Sequence, residues 1–158
     1  MKILKQNQLD NAVEYLQQGK TLVFPTETSY GLGCDATNQE AVDKIFKIKG
    51  RQSDKPLLVV VPSIEMAKKY LVWNGLLEDL SKKYWPGPLT VVGEYNKQSL
   101  KLRRASEEEN KFSSSFTPSN YKKEKLAAGI ISKDNTIAVR VTDHPTPKFL
   151  SEKLGRPL

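Results

Sequence analysis

The chain has 158 residues, of which 38% are hydrophobic, and this size and composition predict one domain, residues 1–158, with a sizeable core. No apolar run approaches the ~20 residues that span a bilayer, and residues 1–6 lack the apolar core of a secretory signal. The single cysteine cannot form an internal disulfide, so we expect a cytoplasmic protein without a membrane anchor. The net charge of +7 favours anionic partners such as nucleotides or RNA, although a lysine-rich composition explains the excess equally well.

The first 36 residues predict a helix, a strand and a polar loop in succession. The helix ends at Gly19, and its inward face is formed by Leu9, Ala12, Val13 and Leu16. The apolar residues 21–24 predict a buried strand that Pro25 stops. After the polar loop, residues 33–36 predict a short extended piece.

The middle of the chain predicts helices around a strand. Asn38 can cap a helix that delivers Lys49 and Arg51 at or just beyond its end, with an inward face of Ala41, Val42, Ile45 and Phe46. The continuously apolar, β-branched residues 57–61 predict a central strand. Two more helices are predicted over residues 64–70, capped by Ser63, and over residues 76–84.

The second half begins with a strand at residues 89–92 and continues into a polar stretch, residues 96–120, that predicts a mobile insertion loop. A buried strand then follows over residues 137–141, and a helix over residues 145–154 ends at Gly155. Because strands and helices alternate, the fold class predicted is α/β.

Two polar clusters are candidates for a binding site. Residues 24–33 place three hydroxyls, a carboxylate and two glycines in one loop, where glycine lets the backbone turn closely around a ligand. Residues 49–57 bring Lys49, Arg51 and Lys55 just before a strand. A hydroxylated loop followed by three cations suits a site where a phosphate-bearing molecule meets a small polar one.

Each candidate residue also has a structural interpretation. The three cations are equally typical of a solvated helix end, and Thr28 of a turn hydroxyl. Thr136 and Arg140 share one face of a strand, where Arg140 needs either a ligand carboxylate or a structural ion pair. His144 is expected to cap a helix and Cys34 to pack in the core, and the sequence predicts no metal ligand cluster.

Four motifs in this order resemble those of the YrdC-like threonylcarbamoyl-AMP synthases. They run from Pro25 to Gly33 (PTETSYGLG), from Lys49 to Leu57 (KGRQSDKPL), from Trp85 to Thr90 (WPGPLT), and from Thr136 to Arg140 followed by Asp143-His144-Pro145. The resemblance covers roughly residues 8 to 158. It implies a YrdC-like fold, a twisted, open, mixed sheet flanked by helices with a basic concave groove.

The resemblance also implies an activity and assigns residues to it. Members of the family are nucleotidyltransferases that join L-threonine, bicarbonate and ATP into threonylcarbamoyl-AMP and pyrophosphate. The product is used to form threonylcarbamoyladenosine in tRNA. The resemblance assigns Lys49 and Arg51 to catalysis and ATP phosphates, with Lys55 and Thr136 beside the nucleotide, and it assigns Thr28 and Arg140 to threonine. Mg²⁺ is expected with ATP, RNA contact through the basic groove is a further expectation, and downstream tRNA-modification proteins are the implied partners.

Two departures from the family pattern are apparent. The family continues after a stretch like residues 155–158 into an S-x-N motif that completes the site, and the segment between Thr90 and Thr136 is about twice the usual length. We therefore expect a C-terminally incomplete domain with an exposed sheet edge. The alternatives to an active enzyme are an RNA- or nucleotide-binding module and an inactive truncated paralogue.

Overall fold

The computed structural model describes residues 3–52, 54–97 and 124–158. Within them, five α-helices flank two small β-sheets. The helices are α1 (Leu9–Gln17), α2 (Gln39–Lys49), α3 (Ile64–Tyr70), α4 (Gly75–Tyr84) and α5 (Pro145–Leu154), and the strands are β1 (Leu22–Pro25), β2 (Tyr30–Gly33), β3 (Val59–Val61), β4 (Thr90–Glu94) and β5 (Thr136–Val141). The loop predicted over residues 96–120 lies, after its first two residues, outside the described part of the chain.

The helices confirm the capping predictions. Asn38 accepts a hydrogen bond from the Ala41 N–H at 3.0 Å to begin α2. Ser63 caps α3 in the same way, and Gly155, with a φ of 72°, ends α5 in the left-handed conformation that favours glycine. These helices start and stop through contacts between residues close in sequence, which is why the sequence locates them so well.

The larger sheet is mixed, as the α/β prediction requires. Its strand order is β3-β5-β4, with β5 parallel to β3 and antiparallel to β4. The prediction that residues 57–61 form the central strand is therefore wrong, because β5 lies between the other two. A strand whose two faces are both covered is continuously apolar in sequence, whether it lies at the edge or in the middle of a sheet.

The outer edge of β3 is not open at its middle residue. The Val60 N–H donates to the Leu158 carbonyl at 2.8 Å, and the Leu158 N–H donates to the Val60 carbonyl at 2.9 Å. Two residues that exchange both hydrogen bonds form the hydrogen-bonded pair of an antiparallel ladder. β3 is thus paired on both sides at Val60.

The smaller sheet is an antiparallel hairpin of β1 and β2 in which Phe24 is opposite Gly31. Pro25 ends β1 as predicted, but the strand is only half buried, since Phe24 is 5% exposed and Val23 63%. Gly33, one of the two glycines of the predicted loop, is the last residue of β2. A Cβ there would come within 2.8 Å of the Phe24 ring, so the close approach is made by that ring.

Two hydrophobic clusters position these layers. The larger lies on the three-stranded sheet and includes Ile45, Tyr70 and Val139. The smaller packs Phe24 against Leu16 of α1 and Leu150 of α5. The hairpin is therefore anchored through its own cluster, with each fully buried large apolar side chain stabilising the fold by about 1.5–3 kcal/mol. No helix in the described residues is long and apolar enough to cross a membrane.

Candidate functional site

A cavity of about 480 Å³ lies between the hairpin, the C-terminal end of α2 and the three-stranded sheet. Its apolar wall comes from the core, and its polar lining consists of Thr26, Thr28, Ser29, Lys49, Arg51, Thr90 and Arg140. Among the described lining residues no side chain is a carboxylate. Three cations with hydroxyls between them make this cavity suited to an anionic, hydroxyl-bearing ligand.

The turn between β1 and β2 is organised by one hydroxyl. The Thr26 Oγ1 donates to the Ser29 carbonyl at 2.7 Å, and the Ser29 N–H returns a hydrogen bond to the same hydroxyl at 3.3 Å. Such side-chain bonds to the local backbone are typical of threonine in turns. Thr26 thereby presents Thr28 to the cavity.

Arg140 and Thr28 meet although 112 positions separate them, with the Arg140 Nη1 donating to the Thr28 Oγ1 at 3.3 Å. On its other side the guanidinium donates through Nε and Nη2 to the Thr90 Oγ1, each at 3.1 Å. A guanidinium carries five N–H groups. By this count of hydrogen bonds, one N–H on each terminal nitrogen has no acceptor among the described residues, and two such N–H groups can bind a carboxylate.

Arg140 also has an ion-pair partner in Glu27, whose Oε2 lies 3.8 Å from the Arg140 Nη1. The structural ion pair considered as an alternative from the sequence is thus present beside the cavity. The other oxygen of Glu27 accepts hydrogen bonds from the Thr142 hydroxyl and from the backbone N–H groups of Asp143 at 2.9 Å and His144 at 3.2 Å. The Glu27 carboxylate therefore bridges the hairpin turn to the beginning of α5.

The ionisation of Glu27 follows from these contacts. Burial alone raises the pKa of this carboxyl, but the hydrogen bonds from Thr142 and from the backbone N–H groups of Glu27, His144 and Asp143 outweigh burial and lower the pKa below its usual value. Glu27 is thus an anion at neutral pH. The sequence showed it only as one carboxylate in a hydroxyl-rich loop, and no local signal revealed partners more than 110 positions away.

The predicted phosphate-binding cations lie around the end of α2. Lys49 is its last residue, and Gly50, with a φ of 57°, ends the helix. Arg51 donates through Nε to the Lys55 carbonyl at 2.7 Å and through Nη2 to the Pro56 carbonyl at 3.0 Å. Arg51 therefore also stabilises the loop that follows α2, a role the sequence did not predict.

The structure does not bring two of the predicted residues into the cavity. Lys55 lines a shallow depression that adjoins the cavity and includes Lys49 and Arg51. Thr136 begins β5 instead, and its hydroxyl is 2.8 Å from the Ser132 Oγ of the preceding turn and donates to the Asp134 Oδ1 at 3.1 Å. The first residue of β5 is thus occupied in closing the turn that precedes it.

The remaining candidates behave as structural residues. The His144 Nδ1 accepts a hydrogen bond from the Thr146 N–H at 3.2 Å, which confirms its capping role. Cys34 is 4% exposed, and burial raises the pKa of its thiol to about 12, so it is a neutral core residue. Trp85 donates to the Leu89 carbonyl at 2.8 Å within the bend before β4, while Tyr30 is 75% exposed on the cavity wall.

The described lining of the cavity does not suit a metal held directly by side chains. No group of three metal-ligating side chains occurs in the described residues. Mg²⁺ prefers carboxylate and phosphate oxygens, and the described lining of the cavity supplies hydroxyls and cations instead.

Comparisons with known proteins agree on one family. The Sua5/YciO/YrdC family model, described as "Telomere recombination", matches residues 14–111. A Vibrio vulnificus protein named threonylcarbamoyl-AMP synthase is 31% identical over 153 residues, which are 95% of this chain and 68% of that protein. A Bacillus subtilis protein of the same name is 31% identical over 162 residues, covering 96% of this chain and 36% of its own length.

A solved structure shows the same fold. Pyrococcus abyssi Sua5, in a crystal structure complexed with L-threonine, superposes with a TM-score of 0.74 at 29% identity. The match covers 99% of this chain and 38% of that protein. The chain thus spans about two thirds of the Vibrio relative and little more than a third of the longer proteins.

Proposed function

The chain belongs to the Sua5/YciO/YrdC family, and from this premise we propose that it is an L-threonylcarbamoyladenylate synthase. The reaction joins L-threonine, bicarbonate and ATP into threonylcarbamoyl-AMP and pyrophosphate, and the product serves the threonylcarbamoyladenosine modification of tRNA. The shared name of the curated relatives and the threonine in the P. abyssi Sua5 structure support this assignment. A cytoplasmic location and transfer to tRNA-modification proteins follow as parts of the same proposal.

One observation carries the proposal to residue level. The cavity has an arginine beside hydroxyls on one wall, Arg140 with Thr28 and Thr90, and two cations around the end of α2, Lys49 and Arg51. A free amino acid presents a carboxylate and ATP presents phosphates, so both anions find cations in one cavity. Holding both substrates together raises their effective concentration for the reaction.

The chemistry needs positioning and charge more than a reactive side chain. The threonine amine attacks bicarbonate and water leaves, which gives a carbamate. A carbamate oxygen then bonds to the α-phosphorus of ATP as the bond to the pyrophosphate breaks. Arg140 holds the threonine carboxylate, while Lys49 and the N–H groups of Arg51 that are free in the described contacts compensate the phosphate charge. Mg²⁺, when bound, adds charge compensation on the triphosphate.

The activity test is pyrophosphate release by the purified chain. We expect release from ATP only when threonine and bicarbonate are both present, and much less with serine or valine, because each lacks one group that the pocket must recognise. Release that is independent of threonine would contradict the proposal. Tight nucleotide or RNA binding without any release would instead favour a binding module.

Lys49 offers a separate prediction about ATP. Lys49→Ala removes a cation from the cavity wall and is expected to raise the Kd for ATP about tenfold, since a hydrogen bond to a charged group contributes about 1.5–3 kcal/mol. Lys47→Ala, which removes an exposed cation from the same helix turn outside the described lining, is the control. Isothermal titration calorimetry giving equal Kd values for both variants would disprove the role of Lys49.

A further inference from the structure

Glu27 is not among the described lining residues of the cavity. It nevertheless contacts Arg140 on β5 and the residues that join β5 to α5. Its side chain is 10% exposed, and its Oε2 is buried without a hydrogen bond among the described residues, 3.8 Å from the Arg140 Nη1. Its Oε1, in contrast, accepts three hydrogen bonds from the end of β5 and the beginning of α5. A buried carboxylate in which one oxygen accepts three hydrogen bonds and the other accepts none among the described residues requires an explanation.

We propose that Glu27 is a positioning residue for the amino-acid carboxylate pocket, because it holds the Arg140 guanidinium in the orientation that leaves two N–H groups for the ligand. The inference rests on the proposed function, since the ligand is the threonine carboxylate. Glu27 acts through Arg140 and does not contact the substrate itself.

The anchoring of Glu27 makes it suited to this role. Its Oε1 is bonded to Thr142, Asp143 and His144, which directly follow the strand that carries Arg140. The carboxylate is therefore fixed relative to the backbone of Arg140. Arginine has many rotamers and loses considerable entropy when it is ordered, so a fixed anion beside one terminal nitrogen limits the conformations that the guanidinium can adopt.

Glu27 also controls the neighbouring hydroxyl. Thr28 follows Glu27 directly in the chain and accepts the hydrogen bond from the Arg140 Nη1. Anchoring Glu27 to the beginning of α5 consequently holds the turn of the hairpin against the larger sheet. The guanidinium is then restrained from three sides, by Thr90, Thr28 and Glu27.

The negative charge of Glu27 has two opposite effects on ligand binding. It compensates a cation whose side chain is only 16% exposed, and it repels the incoming carboxylate. The repulsion is weakened because three donors already solvate the other oxygen, and two of them are backbone N–H groups directly before α5, near the positive end of its helix dipole. We therefore expect the loss of orientation to outweigh the relief of repulsion when the charge is removed.

Glu27→Gln tests the inference in the full chain. The amide oxygen of glutamine can still accept the three hydrogen bonds that Oε1 of Glu27 accepts. The amide NH₂ then faces the Arg140 guanidinium, so that two groups of hydrogen-bond donors oppose each other. We expect the Kd for threonine to rise about tenfold, or about 1.4 kcal/mol, and the Kd for ATP to stay within about twofold. Glu152→Gln, which neutralises an exposed carboxylate on α5, should leave both Kd values unchanged.

A double-mutant cycle separates positioning from a general effect on the fold. In an Arg140→Met background, Glu27→Gln should cause no further loss of threonine affinity, because the residue through which it acts is gone. An equal loss in both backgrounds would overturn the inference. If Glu27→Gln does not fold, Glu27→Asp supplies the test, since it keeps the charge but withdraws it by about 1.5 Å. A folded Asp variant with wild-type threonine affinity would equally overturn it.

The outcome also distinguishes this inference from the proposed function. A wild-type chain that binds no threonine in calorimetry would overturn both. A wild-type chain that binds threonine, together with a folded Glu27→Gln variant of equal affinity, would overturn the role of Glu27 alone.

Discussion

Arg140→Lys is expected to lower the affinity for threonine about a hundredfold, because an ammonium that also donates to Thr90 and Thr28 cannot make the two parallel hydrogen bonds to the carboxylate, each of which contributes about 1.5–3 kcal/mol. The affinity for ATP should stay unchanged, since the cations proposed to bind its phosphates, Lys49 and Arg51, lie around the end of α2 and not on β5. Threonine-dependent pyrophosphate release should fall in the same proportion at low threonine concentration. Calorimetry with threonine and with ATP measures both effects on one preparation.

The physical reason is the number and direction of donors. Each of the three guanidinium nitrogens donates one hydrogen bond to Thr90 or Thr28. The other two N–H groups lie in the same plane and have no hydrogen-bond acceptor among the described residues, so they can donate to a carboxylate. An ammonium group has three donors on a single nitrogen. Lysine therefore keeps the charge but cannot satisfy the two threonines and a bidentate ligand at once.

Thr90 provides matched variants for this explanation. Thr90→Ser keeps the hydroxyl that accepts from the Arg140 Nε and Nη2, whereas Thr90→Val keeps the shape and removes the acceptor. Only the valine variant should weaken threonine binding. A lysine variant at position 140 with wild-type threonine affinity would show that the carboxylate binds elsewhere.

The sequence predicted local structure, such as the ends of helices, far better than it predicted which distant segments lie next to each other. The beginnings of α2 and α3 and the end of α5 were located to the residue, because Asn38, Ser63 and Gly155 act on backbone groups within a few positions. The position of β3 at the edge of the sheet could not be predicted in this way. Strand order depends on pairings between segments about 80 positions apart, such as Val59 with Val139.

The candidate site shows the same division. Sequence motifs identified the polar loop and the cations, and the structure brings Thr28, Lys49, Arg51 and Arg140 to one cavity. The loop residue Glu27 had no predicted role, because its function depends on Thr142, Asp143 and His144 being nearby in space. The predicted alternation of Thr136 with Arg140 on β5 holds, but the sequence did not show that the preceding turn engages the Thr136 hydroxyl.

Asp35 gives rise to the largest expected effect on stability. Its side chain is 1% exposed, and its Oδ2 accepts a hydrogen bond from the Arg156 Nη1 at 2.7 Å. Arg156 also pairs through Nε with the Glu124 Oε2 at 3.1 Å. Three segments distant in sequence, around residues 35, 124 and 156, are thus held together by one guanidinium.

Arg156→Met is expected to lower the free energy of unfolding by about 2–3 kcal/mol. Removing one partner of a buried ion pair costs about 3–5 kcal/mol, because it leaves an uncompensated charge in the interior. The lower value is expected here, since the Arg156 side chain is 36% exposed and Thr37 still donates two hydrogen bonds to the Asp35 Oδ1. For a domain of this size the melting temperature should fall by about 5–10 °C.

Urea unfolding and thermal melting check the prediction against Lys148→Met, which removes an exposed cation from α5 and should change the free energy of unfolding by less than about 0.5 kcal/mol. Adding Asp35→Asn to Arg156→Met should restore part of the lost stability, because the neutral amide no longer leaves a buried charge without its cation. An Arg156→Met variant as stable as Lys148→Met would show that water compensates Asp35 as well as the guanidinium does. A double variant less stable than Arg156→Met alone would show instead that Asp35 stabilises the fold through Thr37, with the arginine contributing little.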